Sequence, residues 1–273
     1  MRLFSLAGPL RRVDWLRRAL LFLGIALVVI CRADAEEATI AVAANFRATA
    51  EVIARQLEDI SPHRYQVIAG STGKLASQSI NGAPFDVLMA ADTERPRVLI
   101  QRGLARAESL RVYALGQLGL WWPGAPANAT SEDIVSLAPG TVCIANPTVA
   151  PYGRAAQQVL TALGAPPEWI NQTIKADNIG MVTALVMGGF AQAGLVARSS
   201  LIEVEREGQQ IISPKEVMWF DQRQHDGIEQ GMILLERGRN NPAALQWVDY
   251  IQTEDVADLL RLHGYDLAME IDP

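Results

Sequence analysis

Cysteine is scarce in this sequence: its 273 residues include two, Cys31 and Cys143. That excludes a disulfide-stapled scaffold, and within Val142-Cys143-Ile144 the second thiol reads as a small buried hydrophobe of a strand. Histidine is as rare, and His63, His225 and His263 lack metal-ligand spacing. No metal-cation site is expected, and solvated or capping roles are expected for all three. After residue 31 no apolar run is long enough to cross a bilayer. Basic residues are outnumbered, 24 Lys and Arg against 30 Asp and Glu, for a net charge of −6. This argues against a nucleic-acid partner, because that affinity comes from Lys and Arg neutralising phosphates.

The first 35 residues have an order of their own. Arg2, Arg11, Arg12, Arg17 and Arg18 precede an apolar run from Ala19 to Cys31, which is followed by Ala33-Asp34-Ala35. Basic, apolar and small-residue segments in that order mark a cleavable secretory signal peptide over 1–35. The 13-residue run is short of the roughly 20 residues a membrane anchor needs, and bulky Ile30 disfavours a lipid anchor on Cys31. A periplasmic location is therefore expected. Cleavage removes six Arg and two Asp, leaving 18 basic and 28 acidic residues and a net charge of −10. An anionic ligand would then be held by local dipoles against the overall field.

From residue 36 onward, short β-like runs alternate with helical stretches. Strands are expected at 38–42, 65–69 and 86–90, with helices from Asn45 on (Ala48, Val52, Ile53 and Leu57 on one face), at 74–80 and at 95–102. A longer extended run, Leu115 to Trp122, is expected to cross into a second domain. There the alternation restarts: strands at 141–145, 173–176 and 193–197, helices at 154–163 and 181–187. Gly231 to Glu236 reads as a return strand, and helices at 242–252 and 253–263 are expected to pack back on the first domain. The fold class expected is α/β, with mainly parallel sheets covered by helices. Domain I comprises 36–116 and 230–273, and domain II, inserted in it, comprises 117–229. Two connecting strands suit a hinge that closes on a ligand.

In such sheets ligands bind beyond the carboxyl ends of strands, where the following helices offer free backbone N–H groups and a positive dipole end. Four strand-end loops stand out: Ala43-Ala44-Asn45-Phe46, Gly70-Ser71-Thr72-Gly73, Asn146 to Gly153, and Asp177-Asn178-Ile179-Gly180. Amide, hydroxyl and phenol donors dominate them, which suits an anion that only accepts hydrogen bonds and does not suit a metal cation. Each residue has a plainer role available. Asn45, Thr72 and Asn178 could be helix N-caps, Gly70 and Gly73 could serve tight turns, and Tyr152 could be a packing residue. The functional reading rests on four loops, two per expected domain, sharing one chemistry.

At these loops, and over roughly Ala38 to Leu267, the chain resembles the periplasmic molybdate-binding proteins of ATP-binding-cassette importers. Asn81-Gly82-Ala83-Pro84-Phe85-Asp86, Ala90-Ala91-Asp92, Gly194-Leu195-Val196-Ala197 and His263-Gly264-Tyr265 add to the likeness. The resemblance implies two Rossmann-like α/β domains joined by two hinge strands, the type II periplasmic-binding arrangement. It also implies a molybdate or tungstate ligand with no further cofactor, a membrane permease as partner, and a monomer. Matched by motif, the contacts are the backbone of Ala44, Asn45, Thr72 with Ser71, the Tyr152 phenol and the Ile179 backbone N–H. Many members have Ser where Asn45 stands and Tyr where Ala197 stands; Asn45 and Tyr152 together resemble one branch of the family.

Other readings differ in class. A binder of another oxyanion, sulfate or phosphate, would use the same donors. Ser71-Thr72-Gly73-Lys74 fits the Ser-x-x-Lys of acyl enzymes, although no Ser-Asp-Asn or Lys-Thr-Gly partner is present. An amino-acid binder would need an arginine such as Arg154 or Arg198 for the carboxylate; both read as surface groups. Trp121-Trp122 would be the best evidence for an exposed interaction patch, and reads instead as interdomain packing.

Overall fold

The run Glu37–Ala43 forms β1, and its alternation explains why it lies at the centre of a sheet: Ala38, Ile40 and Val42 face one hydrophobic cluster and Ala41 the other. A strand buried on both faces has to be covered by helices on both sides. In this computed structural model, which describes residues 35–209 and 212–267, they are in place. The expected signal peptide falls outside the described residues save for Ala35.

A short 3-10 turn, Ala44–Phe46, leads from β1 into α1 (Arg47–Ile60). There follow β2 (Arg64–Gly70), α2 (Thr72–Ile80), β3 (Val87–Ala90), α3 (Glu94–Gln101) and β4 (Arg111–Gly116). The chain then enters a second sheet through β5 (Leu118–Trp121), β6 (Val142–Ala145), α4 (Pro151–Ala162), α5 (Pro167–Gln172), β7 (Ile174–Ala176), α6 (Ile179–Met187), β8 (Ala193–Ala197), α7 (Arg198–Arg206) and β9 (Val217–Trp219). It returns by β10 (Ile228–Leu234) and ends in α8 (Pro242–Tyr250) and α9 (Glu254–Leu262).

The first sheet has the order β2-β1-β3-β10-β4 and the second β7-β6-β8-β5-β9. In each, three parallel strands carry the helical crossovers while the crossing or return strand pairs antiparallel. Two α/β units result, as expected. We call each sheet with its helices a lobe.

α1, α8 and α9 cover one face of the first sheet through Ile53, Leu57, Trp247, Val256 and Leu260. The C-terminal helices thus pack on the first lobe. Trp121 and Trp122 are buried in the core of the second lobe, so they form no exposed aromatic patch. Cys143 is buried in the same core, which pushes its thiol up to about 11.

Three expectations need correction. The run Leu115 to Trp122 is two strands in different sheets, separated by Gln117, because the pairing partner changes there from β10 to β8. The helix after the second strand begins at Thr72, which puts Gly73 inside its first turn; neither Gly70 nor Gly73 has the positive φ that a glycine turn would require. His225 and His263 are buried and not solvated.

Candidate functional site

The carboxyl ends of β1 and β2 in the first lobe face those of β6 and β7 in the second, and a small cavity lies where they meet. Ala44, Asn45, Ser71, Thr72, Tyr152 and Ile179 all line it, together with Asn178 and the backbone around Ala91 and Ala150. The six residues singled out from sequence are thus brought together. The space amounts to about 10 Å³, close to the minimum that admits one water. No lining residue is charged, and among the described residues no group of three His, Cys, Asp or Glu could hold a metal ion.

Local sequence explains each placement. Ser71 takes the N-cap position of α2 with extended backbone, yet its hydroxyl makes no capping bond. Thr72, one residue on, accepts the Ala91 N–H on Oγ1 at 3.0 Å, which leaves its own hydroxyl hydrogen to donate elsewhere. In the second lobe Asn146 turns the chain by accepting the N–H of Thr148. Pro151 then opens α4, where its missing N–H costs nothing. Gly153 lets that helix start close against β6: a Cβ there would fall 2.3 Å from the Ala145 carbonyl oxygen. The close approach directs Tyr152 across to the first lobe, where its hydroxyl lies 2.1 Å from the point a Cβ on Gly116 would occupy. Ile179 is the first residue of α6, so its N–H has no intrahelical partner. Asn178 is the cap of that helix, accepting the Met181 N–H at 3.0 Å, and for this residue the plainer reading holds.

Buried polar atoms are nearly always paired. Here Ser71 Oγ, Tyr152 OH and Asn45 Oδ1 have no hydrogen-bond partner, although their residues are 3%, 2% and 2% exposed. Burial, with Tyr265 nearby, holds the Tyr152 phenol well above the usual tyrosine range, so it stays a neutral donor.

Asn45 behaves differently from its sequence reading. Its Nδ2 donates one hydrogen to Gln230 Oε1 at 2.9 Å and the other to Tyr265 OH at 3.1 Å. Both hydrogens of the side-chain amide are therefore taken within the protein while its oxygen is unpaired, and the N–H left to a ligand at this position is the backbone one. Gln230 and Tyr265 were missed as site residues. The signals were a glutamine opening the apolar return run Gly231 to Leu235 and, for Tyr265, the segment His263-Gly264-Tyr265 already part of the resemblance.

Polar contacts between the lobes ring the cavity. The Gly73 N–H donates to the Val149 carbonyl at 2.8 Å. Lys74 Nζ pairs with Asp177 at 2.8 Å, and Arg154 pairs with Asp92 at 3.2 Å and with Glu94 at 2.5 Å. Lys74 is thus committed to a carboxylate, and Arg154 sits on the rim outside the cavity lining. Arg198 donates to Gln117 Oε1 at 3.0 Å. Beyond Ala44 and Asn178 an open groove of about 380 Å³ continues between α6 and α7, with Arg47 and Glu203 paired in its wall at 2.6 Å.

Comparison with known proteins gives this geometry a setting. Residues 38–266 match the family described as bacterial extracellular solute-binding protein. The molybdate-binding protein ModA of Azotobacter vinelandii is 35% identical over 254 residues, 92% of this chain and 98% of that protein. The protein of that name from Rhodobacter capsulatus is 31% identical over 246 residues, 90% of this chain and 92% of its own length. The solved structure of the Azotobacter vinelandii periplasmic molybdate-binding protein superposes with a TM-score of 0.76 at 26% identity, covering 84% of this chain and 99% of that one.

Proposed function

The chain belongs to the bacterial extracellular solute-binding proteins, within them to the molybdate-binding family, and from this premise we propose that it captures molybdate or tungstate in the cavity between its lobes and hands it to the membrane permease of an ATP-binding-cassette importer. The observation that carries the reading is the pair of buried, unpartnered hydroxyls, Ser71 and Tyr152, reaching one uncharged cavity from opposite lobes. The Thr72 hydroxyl and the N–H groups at the starts of the Ala44–Phe46 turn and of α6 complete a set made mostly of donors.

Molybdate at neutral pH is fully deprotonated and can only accept hydrogen bonds. Phosphate would bring an O–H of its own into a cavity lined mostly by donors, where leaving it unpaired costs roughly 1–3 kcal/mol. Sulfate offers the same charge and acceptors, so its rejection rests on cavity size. Admission of any tetrahedral oxyanion requires the lobes to part and close again, with the Gly73–Val149 bond and the rim ion pairs remaking on closure. The named relatives are solute-binding proteins and not enzymes. With Lys74 engaged by Asp177, Ser71 has no evident base, and we read the chain as non-catalytic. The basic-apolar-small order of residues 1–35 supports export through a cleaved signal peptide to the periplasm, where the protein would act as a monomer.

The test is a thermal-shift panel with molybdate, tungstate, sulfate, phosphate and chromate. An anion at 100-fold over its dissociation constant stabilises by about 2.7 kcal/mol, which is read directly as a rise in Tm. Molybdate and tungstate are expected to give the largest shifts. A shift with phosphate equal to that with molybdate would sink the donor-only account, and a shift led by sulfate would favour the second oxyanion reading.

A further inference from the structure

We infer that Gln230 and Tyr265 are positioning residues of the anion site, which hold Asn45 of the first lobe, Gln230 also lying beside Tyr152 of the second, without touching the anion themselves; this rests on the oxyanion reading above. Gln230 is 0% exposed, an expensive place for an amide unless its bonds are made. Its Nε2 donates to the Ile228 carbonyl at 3.1 Å, which fixes the sense of the amide and turns Oε1 toward Asn45 Nδ2. Tyr265 completes the lock: its hydroxyl accepts the second Asn45 hydrogen and donates to the Asn45 backbone carbonyl at 2.7 Å. Asn45 is thereby held at both ends, side chain and peptide, in the middle of the Ala44–Phe46 turn whose start faces the cavity.

Gln230 also lies near the contact from the second lobe, without bonding it. A Cβ placed on Gly116 would meet the Tyr152 hydroxyl at 2.1 Å and Gln230 Nε2 at 2.9 Å, so phenol and amide crowd the same face of that glycine. The backbone gives a separate reason to single out this position. The pairing of β10 with β4 shifts register between Gln230 and Gly231, and such bulges re-aim side chains beside functional sites. One fully buried glutamine on the return strand therefore bonds the contact from the first lobe and adjoins the contact from the second. Loss of its amide should loosen Asn45 directly and alter the packing beside the Tyr152 hydroxyl, and groups that orient direct ligands commonly change affinity about 10- to 100-fold when removed.

The experiment is titration calorimetry of the full mature chain with sodium molybdate and sodium sulfate, comparing wild type, Gln230→Leu, Tyr265→Phe and a control, Val256→Ala. Val256, on α9, lies in the first-lobe core outside the cavity lining, so this variant lowers Tm without disturbing the site. We expect Gln230→Leu to weaken molybdate binding about 10- to 100-fold and Tyr265→Phe about 10-fold. The ratio of molybdate to sulfate affinity should fall in both, since donors that are no longer held in place discriminate less by size. Val256→Ala should keep the wild-type affinity and ratio at a lowered Tm. Wild-type binding with unchanged affinity and ratio in both site variants overturns the positioning role. Equal weakening in Val256→Ala would also overturn it, by making general destabilisation the cause. Wild type that binds neither anion would instead overturn the oxyanion reading, and this inference with it.

Discussion

Substitution of Gly73 by alanine should separate capture from folding. Gly73 lies in the first turn of α2 with a negative φ, so an alanine fits the local backbone and favours the helix by up to about 1 kcal/mol. Its added Cβ would stand 2.9 Å from the Val149 carbonyl oxygen, 3.0 Å from Val149 Cα and 3.3 Å from the Val149 carbonyl carbon. These are backbone atoms of the opposite lobe and cannot rotate away, so the lobes must part by about half an ångström to reach ordinary contact. That separation stretches the 2.8 Å Gly73–Val149 bond, worth about 0.5–1.5 kcal/mol net, and adds an overpacking cost of about 1–3 kcal/mol. Only the closed form carries this penalty. Each 1.4 kcal/mol is a factor of ten, so molybdate binding should weaken about 10- to 1,000-fold by calorimetry while the Tm without anion holds or rises. Unchanged affinity would refute the idea that this contact forms on capture. A fall in the anion-free Tm to match would show that the residue matters to folding alone.

Removal of the unpaired hydroxyls should act in the same direction for a different reason. Ser71→Ala and Tyr152→Phe each delete a donor that has no partner within the protein, so molybdate affinity should fall about tenfold for each while the anion-free Tm stays within a degree or two. A large loss of Tm in either variant would mean the hydroxyl is structural. His263 sets a pH dependence. Its Nδ1 bonds Thr49 Oγ1 at 2.9 Å and its Nε2 meets the Arg206 guanidinium, which can only donate, so the ring is held neutral. Burial and then Arg206 lower its pKa from 6.5 to about 4. A depressed folded-state pKa means the stabilisation is complete above about pH 6.5 and is lost as pH falls toward 4. Denaturation midpoints measured across that window should therefore drop on acidification, and His263→Gln should flatten the drop; an equally steep profile in the variant would count against the assignment.

Much of this was legible from local pattern. β1 and α1 follow from the apolar alternation of Ala38 to Val42 and from the spacing of Ala48, Val52, Ile53 and Leu57, and the four loops follow from where strands end. Those signals lie within about ten residues of each other, which is the range over which periodicity and turn chemistry act. The breaks lie where a distant partner decides. Leu115 to Trp122 is one extended run by composition, and the change of sheet at Gln117 depends on pairing with β10 and β8, which follow much later in the chain. The orientation of the Asn45 amide depends on Gln230 and Tyr265, 185 and 220 residues away. Nothing near Asn45 could say that its nitrogen was already taken. Arg198–Arg206 was missed as a helix because it follows β8 directly and opens with Arg-Ser-Ser, without a capping signature.

Gln117 also has a mechanical consequence. This residue alone separates β4 from β5. It is tied to Asp266 through its amide nitrogen at 2.6 Å and accepts the Arg198 backbone N–H on its carbonyl at 3.1 Å. Tyr152 rests its hydroxyl beside Gly116, one residue from that axle. A point near an axle travels less than one far from it when the leaves swing, so the phenol can keep its station while the Gly73–Val149 bond parts.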